Sequence, residues 1–143
     1  MKTSQRAIEL IKKFEGCSLT TYLDSVKVPT IGYGHTGPDV KMGLRITQQE
    51  ADDLLIGDLI HAEDDIARLV KVPLTENEHG ALVSFVFNLG GSNLAKSTLL
   101  KLLNQMRYAD AAEEFLRWDF AGGVRLAGLT RRRQAERDLF KNG

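Results

Sequence analysis

The chain has 143 residues, 43% of them hydrophobic, enough for one domain with a real core. Nineteen basic and nineteen acidic residues cancel, so no global field recruits nucleic acid or a membrane surface. The single cysteine, Cys17, excludes an internal disulfide and a thiolate metal cluster, and is expected as a small, partly buried hydrophobe.

Ser4 can cap a first helix whose apolar face is Ala7, Ile8, Ile11 and Phe14, with Gly16 as a left-handed stop. From Cys17 to Ile46 the chain turns to Thr, Tyr, Val and Ile, interrupted by Asp24-Ser25, Pro29, Gly32, Gly34, Gly37-Pro38 and Gly43. That composition predicts a small antiparallel sheet with tight turns. Thr47 and Glu50 form a capping box that opens a helix to about Leu69, with Gly57 as its weak point. A second box, Thr75 and Glu78, starts an apolar helix that runs to Gly90-Gly91. Three more helices are predicted at about Ser97–Gln105, Tyr108–Trp118 and Thr130–Lys141. The pattern is α+β and mainly α: a small β-containing lobe at about 15–46, and a helical lobe at about 47–143 that includes the N-terminal helix. A chain divided this way is expected to leave a cleft at the seam.

Charge is unevenly spread. Glu50, Asp52, Asp53, Asp58, Glu63, Asp64 and Asp65 have no Lys or Arg among them, whereas from Arg117 onward seven basic residues face three acidic ones. Two solvated faces explain this without a polyanionic partner.

The stretch FEGCSLTTYLDSVKVPTIGYGH, Phe14 to His35, carries the chemistry. Glu15 falls where a helix ends, beside the negative pole of the helix dipole and next to Phe14, and both favour the protonated acid. Asp24 lies in a polar Asp-Ser turn, where the carboxylate stays ionised. One acid and one carboxylate are what a glycosidase needs. The ordinary alternatives are a surface Glu and a turn-forming Asp.

The same stretch resembles the active-site box of the phage-type lysozymes, the muramidases and endolysins of glycoside hydrolase family 24. Glu15, Asp24, Thr30 and Ile31-Gly32-Tyr33-Gly34-His35 stand at the family spacing. SFVFNLG at Ser84–Gly90, STLLKLLN at Ser97–Asn104 and GLTRRRQAERDLF at Gly128–Phe140 extend the similarity in order along the chain. Lys27 departs from the pattern, since many members have Gly in the turn after the Asp.

The resemblance implies a lysozyme-like two-lobe fold with the active site in the cleft. It also implies hydrolysis, with inversion, of the β-1,4 bond between N-acetylmuramic acid and N-acetylglucosamine in peptidoglycan, without a metal or organic cofactor. Glu15 would protonate the leaving oxygen, while Asp24 and Thr30 would hold and activate a water. The alternation Thr30, Gly32, Gly34 would leave a bare backbone face for a sugar. His35 is expected as a structural histidine hydrogen-bonded near the Glu15 helix, and Asn88 as a saccharide contact or a helix-terminal residue. Trp118 is read as a core aromatic before a sugar-stacking one. Arg132 shares a helix face with Ala135 and Leu139 and should point inward, where the family pairs an Arg with its catalytic Glu; such a pair would favour the carboxylate and oppose the helix-end effect.

Two other classes fit parts of the sequence. A lytic transglycosylase also cuts glycan strands but needs only one acid, and a wall-binding or nucleic-acid-binding helical module would use the Arg-rich end. Asp24 and Thr30 at their spacing argue against the first, and the intact triad and zero net charge against the second. The N-terminal segment MKTSQRAIELIKKFEG has no apolar run of signal-peptide or membrane-span length. The expectation is therefore a monomer held in the host cytoplasm, without stable membrane insertion, that reaches peptidoglycan through a holin.

Overall fold

A computed structural model describes residues 1–143. The chain folds as two compact units, one of Ile11–His61 and one of Met1–Leu10 with Ala62–Gly143.

Helix α1 spans Gln5–Glu15. The Ser4 hydroxyl accepts the Ala7 amide at 3.2 Å, which satisfies one orphan donor of the first turn. Gly16 ends the helix at φ 68°, in the left-handed region. Strands β1 (Ser18–Leu23) and β2 (Pro29–Gly32) then pair antiparallel, with Tyr22 opposite Thr30 and Leu23 opposite Pro29. An irregularity between Ser18 and Tyr22 shifts the register, and single bridges join Thr20 to Arg45 and Ile31 to His35. Helix α2, Gln48–Leu69, begins at the predicted box: the Glu50 amide donates to Thr47 Oγ1 at 3.1 Å and the Thr47 amide to Glu50 Oε1 at 3.0 Å. It runs through Gly57 unbroken. The unit of residues 11–61 has a small core, with Ile11, Ile31, Ala51, Leu55 and Leu59 almost fully buried.

In the other unit, α3 (Glu76–Leu89) starts at the predicted Thr75–Glu78 box and is buried from His79 to Val86. Next come α4 (Gly91–Ala95), α5 (Thr98–Asn104, capped by Ser97) and α6 (Tyr108–Glu114). A two-stranded hairpin, β3 (Phe120–Ala121) and β4 (Val124–Arg125), leads into α7 (Ala127–Lys141), which packs on α3. Phe85 meets Phe115 and Trp118 edge-on at 5.5 Å each, and Phe115 lies 5.5 Å from Phe140. Each large apolar side chain buried here contributes about 1.5–3 kcal/mol. Gly80 lets α1 approach closely, because a methyl group there would lie 2.6 Å from Ala7 Cβ.

Four local expectations change. The predicted Tyr108–Trp118 helix tightens after Glu114 into a 3₁₀ turn, with the Trp118 amide on Phe115 O at 3.2 Å. The hairpin was not expected, although Gly122-Gly123 at φ 58° and 80° is what a two-residue hairpin turn requires. Helix α7 begins at Ala127, before Thr130. Cys17 is exposed, because the left-handed Gly16 takes the chain off the apolar stripe of α1 before position 17.

Candidate active site

Glu15 is the last residue of α1 and is half-buried. The turn from Ile31 to His35 comes against it: Ile31 N donates to His35 O at 2.9 Å, and His35 N to Ile31 O at 2.8 Å. A methyl group at Gly34, φ 82°, would sit 3.2 Å from Glu15 Oε1. A Cβ there would crowd the carboxyl group, and the left-handed φ favours glycine as well.

Asp24 opens the β1–β2 turn. Its Oδ1 accepts the amides of Val26 and Val28, both at 2.9 Å, so the carboxylate orientation is fixed by backbone. The Asp24 amide donates to Val28 O at 3.0 Å, and Lys27 N to Asp24 O at 2.9 Å. Lys27 takes φ 64°, so this turn keeps the left-handed geometry with a side chain that tolerates it poorly. Thr30 is buried on β2, and its hydroxyl donates to Val28 O at 2.8 Å. The single hydroxyl proton is thereby used, and Thr30 Oγ1 offers only lone pairs to anything else.

Gly32 does not form the bare sugar-facing surface expected of it. It is buried at φ 66°, where a methyl group would have room against Ala51 and Ile46 at 3.6–3.8 Å, so the left-handed backbone and not close packing favours glycine. The positive φ breaks strict alternation and leaves Gly34, not Gly32, beside Glu15. The His35 ring bonds to two acids and not to the Glu15 helix: Nδ1 lies 2.8 Å from Asp58 Oδ2 on α2, and Nε2 lies 3.0 Å from Asp39 Oδ2. Burial pulls the imidazole pKa down, but hydrogen bonds and charge from Asp58 and Asp39 outweigh it and raise the pKa above the ordinary value.

Asn88 and Arg132 belong to the other unit. Arg132 is 4% exposed and points inward, with Nε 3.3 Å from Glu136 Oε2 and Nη2 3.2 Å from Ser84 O. Arg131 is exposed. Arg133, which the sequence did not single out, is fully buried: Nε lies 3.0 Å from Glu136 Oε1, and Nη2 donates to Asn88 Oδ1 at 2.7 Å. Glu136 is itself fully buried and takes the Ser84 hydroxyl at 2.5 Å. Burial pushes its carboxyl pKa up, against the pull of Arg133, Arg132 and Ser84. The Arg133–Glu136 and Arg132–Glu136 spacings, i,i+3 and i,i+4, were visible in sequence. Trp118 is half-buried against Phe85.

No group of three or more His, Cys, Asp or Glu side chains is arranged to hold a metal ion, and no helix is long and apolar enough to cross a membrane.

The phage lysozyme family model matches residues 12–136, and the chain belongs to that family. It is 44% identical over 144 residues to the endolysin of Salmonella phage P22, covering 98% of each. A solved P22 lysozyme variant superposes with a TM-score of 0.92 at 43% identity, over 99% of both chains. The muramidase domain of SpmX from Asticaccaulis excentricus superposes with a TM-score of 0.91 at 38% identity, over 97% of each. The endolysin of Bacillus phage B103 is 43% identical over 145 residues, all of this chain, but the chain spans only 55% of that longer relative.

Proposed function

We infer that this chain is a muramidase of the endolysin type, a glycoside hydrolase that cleaves the β-1,4 bond between N-acetylmuramic acid and N-acetylglucosamine in bacterial peptidoglycan. One observation carries the reading: Glu15, Asp24 and Thr30 stand at the phage-lysozyme spacing, with Asp24 and Thr30 held by backbone hydrogen bonds, in a chain matched by that family over residues 12–136.

Glu15 donates a proton to the leaving glycosidic oxygen. Asp24 acts as the base on a water at the opposite face of the sugar, which inverts the anomeric carbon. With Oδ1 tied to the Val26 and Val28 amides, Oδ2 is the oxygen available to that water. Thr30, its proton committed to Val28 O, accepts the second water hydrogen. Both water hydrogens are then held, and a lone pair is left for attack.

Wall-lysis rates on variants confirmed folded by circular dichroism test the assignment. Glu15→Gln loses the proton donor and Asp24→Asn the base, each worth about a hundred- to ten-thousand-fold. Glu15→Gln is expected to be the worst, Asp24→Asn next, and Thr30→Val the mildest. Full activity in Glu15→Gln would sink the reading.

We propose also that the chain, acting as a monomer, meets peptidoglycan after a holin has opened the membrane. Expression without a holin then leaves cells intact, and lysis under that condition would contradict the proposal.

A further inference from the structure

Tyr33 stands between two glycines in left-handed backbone, Gly32 at φ 66° and Gly34 at φ 82°. A segment of this kind loses more chain entropy on ordering than one without glycine, so its tip needs an anchor. The base of the turn is closed by the backbone pair of Ile31 and His35. The tip is held through the Tyr33 side chain.

Tyr33 is only 9% exposed. Its hydroxyl accepts the Gln48 side-chain amide at 3.0 Å, and the same amide nitrogen donates to Asp52 Oδ1 at 3.0 Å. Asp52 pairs with Lys12 Nζ at 3.2 Å, and Lys12 Nζ stands 5.5 Å from the centre of the Tyr33 ring. The Gln48 amide, the Lys12 ammonium and the Tyr33 hydroxyl hold the Asp52 carboxyl below its ordinary pKa, so the acceptor of the set stays charged. Lys12 lies one turn before Glu15 on α1, and Gln48 and Asp52 lie one turn apart on α2. The set therefore ties both helices, within the unit of residues 11–61, to the tip of the turn whose next residue, Gly34, borders Glu15 Oε1.

A neighbouring pair on α2 shows the same contact serving the helix alone. Gln49 Nε2 donates to Asp53 Oδ1, also at 3.0 Å and four residues apart, but Asp53 is exposed and joins neither Tyr33 nor a lysine.

We propose that Tyr33 is a positioning residue for the acid Glu15: held by Gln48, Asp52 and Lys12, it fixes the Ile31–His35 turn against the end of α1 and so sets where the carboxyl group meets the glycosidic oxygen. The inference rests on the muramidase reading above. Proton donation by Glu15 contributes in the transition state and not to substrate binding, so a displaced carboxyl group lowers kcat and leaves KM nearly unchanged.

The test is steady-state kinetics on solubilised glycan strands, with kcat and KM measured separately on variants shown by thermal unfolding to be folded. Tyr33→Phe keeps the ring and removes the hydroxyl; kcat should fall about tenfold, the scale of one hydrogen bond, with KM within about twofold. Asp52→Asn, which takes the ion pair from Lys12, should do the same, and Asp52→Glu, which keeps the charge, should retain most of kcat. Asp53→Asn is the control and should leave both constants unchanged. Should Tyr33→Phe fail to fold, the two Asp52 variants decide. An unchanged kcat in Tyr33→Phe or in Asp52→Asn, a rise in KM alone, or an equal loss in Asp53→Asn overturns this inference while the unaltered chain still cleaves glycan. Absence of cleavage by the unaltered chain overturns the muramidase reading with it.

Discussion

The unit of residues 11–61 and the helical unit keep their polar groups in place by different means. In the first, position comes from backbone: Asp24 is tied by two amides, Thr30 by a carbonyl, and Glu15 has room because Gly34 lacks a side chain. Tyr22, Leu23, Val26 and Val28 are all exposed, and the apolar core behind them is small. In the helical unit, position comes from burial, with Arg132, Arg133 and Glu136 enclosed by α3 and α7. The difference teaches where substitutions act. Changing Asp24 or Thr30 in the first unit should cost activity before stability, and changing the buried Arg132, Arg133 or Glu136 in the second should cost stability first.

The largest effect expected is therefore in the buried cluster. Arg133→Ala or Arg132→Ala leaves Glu136 short of a partner and should destabilise by about 3–5 kcal/mol, against less than ~0.5 kcal/mol for the exposed Arg131→Ala. Thermal unfolding of the three variants measures this. Equal melting temperatures would erase the contrast between the units.

Two histidines sharpen the comparison, with opposite signs. His35 has a raised pKa in the fold, so its contribution is fully present below the unfolded value of about 6.5 and is lost as pH rises through the folded value. Asp58→Asn should cost more at pH 5.5 than at pH 9, by about 1.5 kcal/mol, the scale of a charge-assisted hydrogen bond. His79, on α3, is 2% exposed. Burial lowers its pKa, the N-terminal ammonium adds to the effect, and Glu63 opposes it. Its contribution is present above about pH 6.5 and is lost as pH falls toward the depressed value, so His79→Gln should flatten the acid limb of the stability profile. Chemical denaturation across pH reads both. Parallel pH slopes for the two variants would refute the opposed assignments.

Smaller effects are expected at two left-handed positions of the first unit. Lys27→Gly should stabilise by about 1 kcal/mol by relieving φ 64°. Gly34→Ala should destabilise by about 1–2 kcal/mol and, unlike Lys27→Gly, should lower the lysis rate, since the added methyl group meets Glu15 Oε1 at 3.2 Å. Denaturation midpoints and lysis rates on the same samples separate the two.

The capping boxes at Thr47 and Thr75, the Ser4 cap and the Gly16 stop were legible because each is a local contest between a side chain and an orphan amide. The Glu15, Asp24 and Thr30 spacing was legible for a different reason, its resemblance to the phage-lysozyme box. Arg133 was not, because its burial depends on Asn88 and Phe85 of α3, which only the tertiary fold brings against α7. The partners of His35 were missed likewise: Asp58 lies 23 residues away, and nothing local marks it among the acidic residues of α2. The burial of Gly32 could not be read from alternation, since its positive φ turned the chain out of strand geometry.

The central claim is that Glu15 and Asp24 work as an acid and base on opposite faces of the scissile bond. The most direct test is proton NMR of the first products released from purified glycan strands, before mutarotation, with mass spectrometry on the same sample. The account predicts a reducing end that begins as the α-anomer and products whose masses sum to that of the substrate plus one water. A β-anomer at the earliest time point, or an anhydro product without added water, would contradict it.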